Sequence, residues 1–226
     1  MNWEDECFLL SKRKFRENAN IINVFTLNKG KVAGIVYGGN SRKIRNYLQI
    51  SNKLIVFNNS KGDNKIGYFK TELIKAISPN FFNSKEKTSA LISVCSLLNI
   101  LLPELQPYKN IYRSLDKFIS SLKLDNWVIL YILFEINLIK ELGYDTNLTS
   151  YHNKNDSLYD FKKVKIDEYT YEVPNFLIQQ KIPNELKKNF IKKSLAFTRN
   201  VFLNKFFTQN NLVFPKSRVI FENYYS

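Results

Sequence analysis

Cysteine is almost missing from this chain: Cys7 and Cys95 are the only two in 226 residues, and they lie far apart. That excludes a disulfide framework and makes a reducing compartment the expected setting. Histidine occurs once, as His152. Two cysteines and one histidine cannot build a cysteine-rich zinc site, and they leave little material for a Ser-His or Cys-His nucleophile. Seven glycines and six prolines exclude collagen-like and linker-like chains. The most apolar stretch, 126–142, is broken by Glu135, Asn137 and Lys140, whereas a membrane span needs about 20 mainly apolar residues; a buried central helix is the expectation. The opening Met-Asn-Trp-Glu-Asp-Glu is acidic where a secretory signal carries positive charge. A cytoplasmic protein is expected.

What is present is an ordinary core and an unusual charge. Apolar residues make up 44% and charged residues 24%, the composition of a globular chain long enough to bury one large core or two small ones. Lys and Arg number 34 against 20 Asp and Glu, a formal charge of +14, which favours a polyanionic partner. Twenty-eight asparagines, with abundant Lys, Ile, Phe and Tyr, point to AT-rich coding sequence, which inflates lysine whatever the function. The position of the charge is therefore more informative than its sum.

From residue 7 to about 76, short apolar runs alternate with turn residues, a strand pattern. Strands are predicted at 7–14, 20–27, 31–37, 48–57 and 65–77. Asn28-Lys29-Gly30 supplies a hairpin, Gly34 suggests a bulge or bend, and 40–46 reads as a polar loop. Five short antiparallel strands in some 75 residues suit a small OB-like or SH3-like barrel. Beyond Ser78-Pro79 the period becomes helical. Helices are predicted at 85–102, along the stripe from Tyr108 to Leu122, at 126–142 with Asp125 as cap, and from Pro183-Asn184 to about Phe207. Between them, from residue 144, lies a polar segment, read as a long insert or short strands. The expected fold is α+β, with a five-stranded barrel at 1–78 and an all-helical domain at 79–226 that carries an irregular insert at about 144–180.

Between residues 9 and 53, ten basic side chains face one acid, Glu17. Between 181 and 218 there are nine basic residues and one acid, Glu185. Lys188, Lys192 and Arg199 project within about 40° of each other on an ideal helix. A lopsided basic surface attracts phosphates with steep salt dependence and little sequence preference. Exposed rings on a barrel add base stacking, and Tyr37, Tyr47, Phe57, Tyr68 and Phe69 are the candidates.

Several runs carry a family likeness. Trp3, Phe8-Leu9-Leu10, Glu17, Val24-Phe25-Thr26, Gly30 and the Tyr37-to-Lys43 run leading to Leu48-Gln49 occur in an order and spacing that resemble the start of the RecO family of DNA repair proteins. Phe134-Glu135-Ile136-Asn137-Leu138-Ile139 running into Leu142-Gly143-Tyr144 is similar to that family's middle signature. Phe197-Thr198-Arg199 and Lys216-Ser217-Arg218 are similar to its C-terminal elements. The resemblance implies an N-terminal OB fold and a helical C-terminal domain, in a bacterial, nucleoid-associated protein without bond-breaking activity. It further implies binding of single- and double-stranded DNA, annealing of complementary strands, association with RecR, and recognition of the acidic tail of single-stranded DNA-binding protein, so that RecA is loaded indirectly. Many members carry four zinc-binding cysteines after the Leu-Gly-Tyr element. Residues 144–172 here contain none, so neither zinc nor any other cofactor is expected.

On this reading Lys12, Arg13, Lys14, Arg16, Lys29, Lys31, Arg42, Lys43 and Arg45 are the expected DNA contacts, Arg as a bidentate donor and Lys as a point charge. Lys188, Lys192 and Arg199 are the expected basic rim for the partner's tail. Two alternatives remain. One is an OB-fold RNA-binding module, which shares barrel and charge; the other is a metal-dependent nuclease, for which Asp156, Asp160, Asp167 and Glu168 form the densest acidic group.

Overall fold

A computed structural model describes residues 2–39, 41–59, 66–153 and 156–226. The chain divides into two compact units, Met1–Arg113 and Ser114–Ser226.

The first unit is built on β1 (Trp3–Phe15), β2 (Ala19–Thr26), β3 (Gly30–Tyr37), α1 (Arg42–Tyr47), β4 (Lys53–Asn59) and β5 (Gly67–Lys75). The strands close a barrel in the order β1-β2-β3-β5-β4, an OB fold. Cys7, Leu9, Ile22, Val24, Val36, Leu48, Leu54, Val56 and Phe69 fill it. Four seams are antiparallel, but β3 meets β5 in parallel, through Gly34↔Gly67 and Ile35↔Tyr68 among the described residues. The all-antiparallel expectation is corrected at that seam.

Gly34 is not a bulge, because its pairing with β2 is continuous. It is glycine because a Cβ there would run into the Phe69 ring. The irregularity lies in β1, where pairing with β2 skips Leu10 between Leu9↔Val24 and Ser11↔Asn23. Since side chains alternate along a strand, one extra residue reverses which of them face inward. Cys7 and Leu9 point into the barrel before the bulge; Lys12, opposite Ile22, takes the inner face after it. Phe8 lies on the outer face, with its ring centroid 5.0 Å from that of Tyr112.

Residues 40–46, expected as a loop, contain the start of α1. Ser41 caps the helix by accepting from the Ile44 amide, and Ile44 and Tyr47 pack onto the barrel core. The fourth strand starts at Lys53, later than predicted, because the chain first turns through Ser51 at φ +72°. Asn52 locks that turn, donating to the Tyr47 carbonyl and accepting from the Ile77 and Ser78 amides. Helix α2 (Lys85–Leu101) follows, capped by Ser84. The first residues of α3 (Lys109–Ser121) complete this unit.

The second unit contains the rest of α3, α4 (Trp127–Glu141), β6 (Phe161–Ile166), β7 (Tyr169–Pro174), α5 (Asn175–Gln179), α6 (Lys188–Phe202) and α7 (Lys216–Asn223). Asn126, not Asp125, occupies the N-cap of α4, and its side chain makes no capping bond. The segment left open between insert and short strands holds the β6–β7 hairpin, so this unit is not purely helical. Helix α6 continues into a π-helical turn, Leu203–Phe207. No helix among the described residues is long and apolar enough to cross a membrane.

Candidate nucleic-acid interface

The nine basic residues expected on DNA divide between the two ends of the barrel. Lys29 and Lys31 sit by the β2–β3 hairpin, and six residue steps along β3, about 20 Å, separate Lys31 from Tyr37 at the other end. Lys31 donates through Nζ to the Asn99 carbonyl at 2.8 Å. Burial lowers its pKa, opposed by Glu104. It ties a barrel strand to the end of α2 and is not presented outward; Lys29 is exposed.

The other seven meet at the opposite end. Lys12 reaches from the inner face to the Leu48 carbonyl, 2.8 Å away, at the end of α1. Burial and then the nearby Arg45 lower its pKa, so the basic run of β1 and that of α1 share one patch. Lys14 lies opposite Asn20, beside Gly39. Arg13, Lys14, Arg16, Arg42, Lys43 and Arg45 are exposed, and none of them pairs with a carboxylate among the described residues. Arg16 occupies the β1–β2 turn at φ +54°, its guanidinium 5.2 Å from the Phe15 ring centroid. The structure therefore converges six outward cations and one structural lysine.

Strand alternation sorts four of the five rings, and helix α1 places the fifth, Tyr47. Phe69 is core, Tyr47 is half-buried with its hydroxyl donating to the Thr71 carbonyl at 2.7 Å, and Phe57 is half-buried beneath Lys70. Only Tyr37 and Tyr68 are open, 52% and 44% exposed, stacked on one another with centroids 5.2 Å apart and planes at 24°. Their hydrogen bond, with some burial, raises the Tyr37 phenol pKa against a smaller opposing effect of Arg16. Both rings line a groove of about 780 Å³ with Lys43, Tyr47, Lys70 and Glu72. Lys70 was missed by sequence reasoning, although it belongs to the same alternating strand.

In the second unit the three signature runs converge on one buried cluster. Arg218, with no exposed surface, donates from Nε to Glu135 Oε1 at 2.6 Å and from Nη2 to Oε2 at 3.0 Å. It also reaches Glu222, the Leu195 carbonyl and Thr198. Thr198 donates to Glu135 at 2.5 Å. Burial opposes the charge on Arg218, but Glu135, Tyr131 and Glu222 together more than compensate and its pKa is raised. Arg199, expected on the tail-binding rim, pairs instead with Glu222 at 3.2 Å. Lys188 and Lys192 remain exposed on α6.

A separate groove of about 420 Å³ in this unit has an apolar floor that includes Leu133, Ile136, Phe176 and Leu177, with Lys140 and Lys181 among its lining. Neither Lys188 nor Lys192 lines it. Leu133, Ile136 and Lys140 follow the three-four helical spacing, a signal present in the sequence.

Among the described residues no three His, Cys, Asp or Glu side chains gather as a metal site would require. Asp156 pairs with Lys162 and Asp167 with Lys205.

Comparison with known proteins bears on both units. The family model described as recombination protein O N terminal matches residues 1–77, and that described as recombination protein O C terminal matches 84–182. The DNA repair protein RecO of Wolbachia pipientis wMel is 27% identical over 236 residues, covering 96% of this chain and 98% of that protein. Those of Cereibacter sphaeroides and a Ruegeria species are 32% and 30% identical over 149 and 151 residues, 66% of this chain in each case. Those two alignments span 62% and 63% of the relatives' own length. Two consecutive parts of a single family, matched in order along barrel and helices, account for most of the residues, and the chain belongs to the recombination protein O family.

Proposed function

We propose that this protein acts in DNA repair and recombination by binding single- and double-stranded DNA, annealing complementary strands, and helping to load RecA onto DNA coated by single-stranded DNA-binding protein. The observation that carries the reading is the cluster of Arg13, Lys14, Arg16, Arg42, Lys43 and Arg45 at one end of the barrel, without carboxylate partners among the described residues. Two strands approaching one another are held apart by phosphate repulsion. A dense patch of cations neutralises both backbones at once and releases their counterions. No covalent step is needed, so the reading is of a mediator and not an enzyme.

The test is strand annealing with bare oligonucleotides and with oligonucleotides coated by single-stranded DNA-binding protein. Arg42→Ala/Lys43→Ala/Arg45→Ala is expected to slow both and to reduce the salt slope of DNA binding by about two to three. An unchanged slope and rate would remove the assignment. Magnesium-dependent cleavage of labelled DNA would favour the nuclease alternative, and preference for RNA over DNA the translation-type module.

For partners, the proposal includes RecR and the acidic tail of single-stranded DNA-binding protein. A short peptide carrying carboxylates and ending in an apolar residue matches the groove floored by Leu133, Ile136, Phe176 and Leu177 and edged by Lys181 and by Lys140, whose present partner Asp145, at 3.2 Å, the peptide would have to displace. Lys188 and Lys192 form the competing surface. Fluorescence anisotropy of a labelled tail peptide separates them: Lys140→Glu/Lys181→Glu should weaken binding, and a loss confined to Lys188→Glu/Lys192→Glu would move the site to α6.

A further inference from the structure

We propose that the stacked Tyr37–Tyr68 pair is a base-stacking platform that makes this end of the barrel selective for unpaired DNA over duplex, a proposal that rests on the DNA-binding reading above. Two large rings, 52% and 44% exposed on the outside of a closed barrel, leave apolar faces in water, although Phe69, next to Tyr68 in sequence, is buried in the core. Their mutual stacking, at 5.2 Å and 24°, covers one face of each ring and leaves flat surface on which a further aromatic plane can extend the column. Every base has such a plane, but in a duplex its faces are occupied by neighbouring bases; only an unpaired base can be laid on a protein ring without first being unstacked.

The surroundings fit this division of labour. The groove holding both rings contains Lys43, Lys70 and Glu72, and Lys70 is satisfied by Glu72 at 3.1 Å. The groove itself is therefore weakly charged. The cations without a carboxylate partner among the described residues lie alongside it: Arg16 is close enough to act on the Tyr37 phenol, and Lys43 belongs to both groove and patch. Phosphates would follow the patch while bases turn toward the rings. Charge then sets salt dependence, and stacking sets the preference for single strands. The two contributions are separable by measurement.

Affinity of the full chain is measured for a thymidine oligomer, an abasic oligomer of equal length and a duplex, across salt concentrations. Tyr37→Leu and Tyr68→Leu should each weaken thymidine-oligomer binding by about fivefold or more, leave abasic and duplex affinities within about twofold, and leave the salt slope unchanged. Tyr37→Phe and Tyr68→Phe should behave as wild type, since the ring and not the hydroxyl is required. Independently of any variant, iodouracil-substituted oligomer irradiated on the wild-type protein should crosslink to peptides containing Tyr37 or Tyr68. Wild-type binding that does not distinguish thymidine from abasic oligomers, or crosslinks confined to other peptides, overturns the platform while leaving the cation patch intact. Failure of the wild-type chain to bind any DNA overturns the function as well.

Discussion

The two units treat arginine in opposite ways. In the helical unit Arg218 is wholly buried and makes five hydrogen bonds, to Glu135, Glu222, Thr198 and the Leu195 carbonyl. In the barrel Arg42 and Arg45 stand exposed on a single helical turn and a half, with no carboxylate beside them among the described residues. The first arrangement holds a fold together; the second leaves charge for something outside the molecule. Nearly equal counts in the two basic stretches, ten and nine, therefore conceal different surroundings. Of the C-terminal set, Arg199, Lys205 and Arg218 are already paired within the chain.

The sharpest way to break the comparison is to remove the buried counter-charge. Glu135→Ala leaves Arg218 in the core with Glu222 as its remaining carboxylate partner among the described residues and should cost about 3 kcal/mol, read as a shift of the urea unfolding midpoint. Glu135→Leu/Arg218→Met, which removes both charges, should recover most of that loss; no recovery would mean the cluster is needed for more than neutrality. Within the barrel patch the contrast is finer. Lys12→Ala strips the Leu48 carbonyl of its donor and should cost about 1 kcal/mol, with part of that offset by relief of repulsion from Arg45. Lys43→Ala should change stability by less than about 0.5 kcal/mol yet reduce the salt slope for DNA by about one.

The smallest effect expected concerns the tip of the hairpin. Asp167 accepts from Lys205 at 2.7 Å and from the Tyr144 hydroxyl at 3.0 Å. Lys205 and then Tyr144 lower the Asp167 pKa, and Asp167 raises that of Lys205. The Asp167 contribution is present above the ordinary carboxylate value of about 3.9 and is lost as pH falls through its depressed value. The Lys205 contribution is full below about 10.4 and is lost as pH rises through its raised value. Burial holds the Tyr144 phenol up at about 12, so it remains a donor across that window. Amide protection of β6–β7, taken relative to the intrinsic exchange rate at each pH, should be highest between those limits, and Asp167→Asn should flatten the dependence at both edges.

Much of this was legible in the residues. The alternation of residues 7–76 predicts the barrel, and the helical period of 85–122 predicts its successor, because both patterns arise from burial of one face; the helix at 126–142 was legible instead from its nearly continuous apolar run. The cationic patch was legible only as two separate runs. What joins them is the bulge at Leu10, which turns Lys12 inward toward Leu48 and Arg45, and no local residue choice announces it. Gly34 misled for the opposite reason: its explanation is the ring of Phe69, 35 positions along the chain. Arg199 was placed on an exposed stripe by helical geometry, but a stripe cannot reveal that Glu222 waits across from it. The middle and C-terminal motifs that suggested the family meet in the Glu135–Arg218 cluster, which explains why their conjunction carried more information than any one of them.

The parallel seam between β3 and β5 has a mechanical consequence. Backbone pairing there consists of two rungs among the described residues, whereas its neighbours are zipped along most of their length. Tyr37 and Tyr68 sit on either side of this gap. A ligand resting on both would act as a suture, and by linkage whatever tightens the barrel there must also tighten its grip on that ligand. Occupancy and closure would then be read by one and the same change in local breathing.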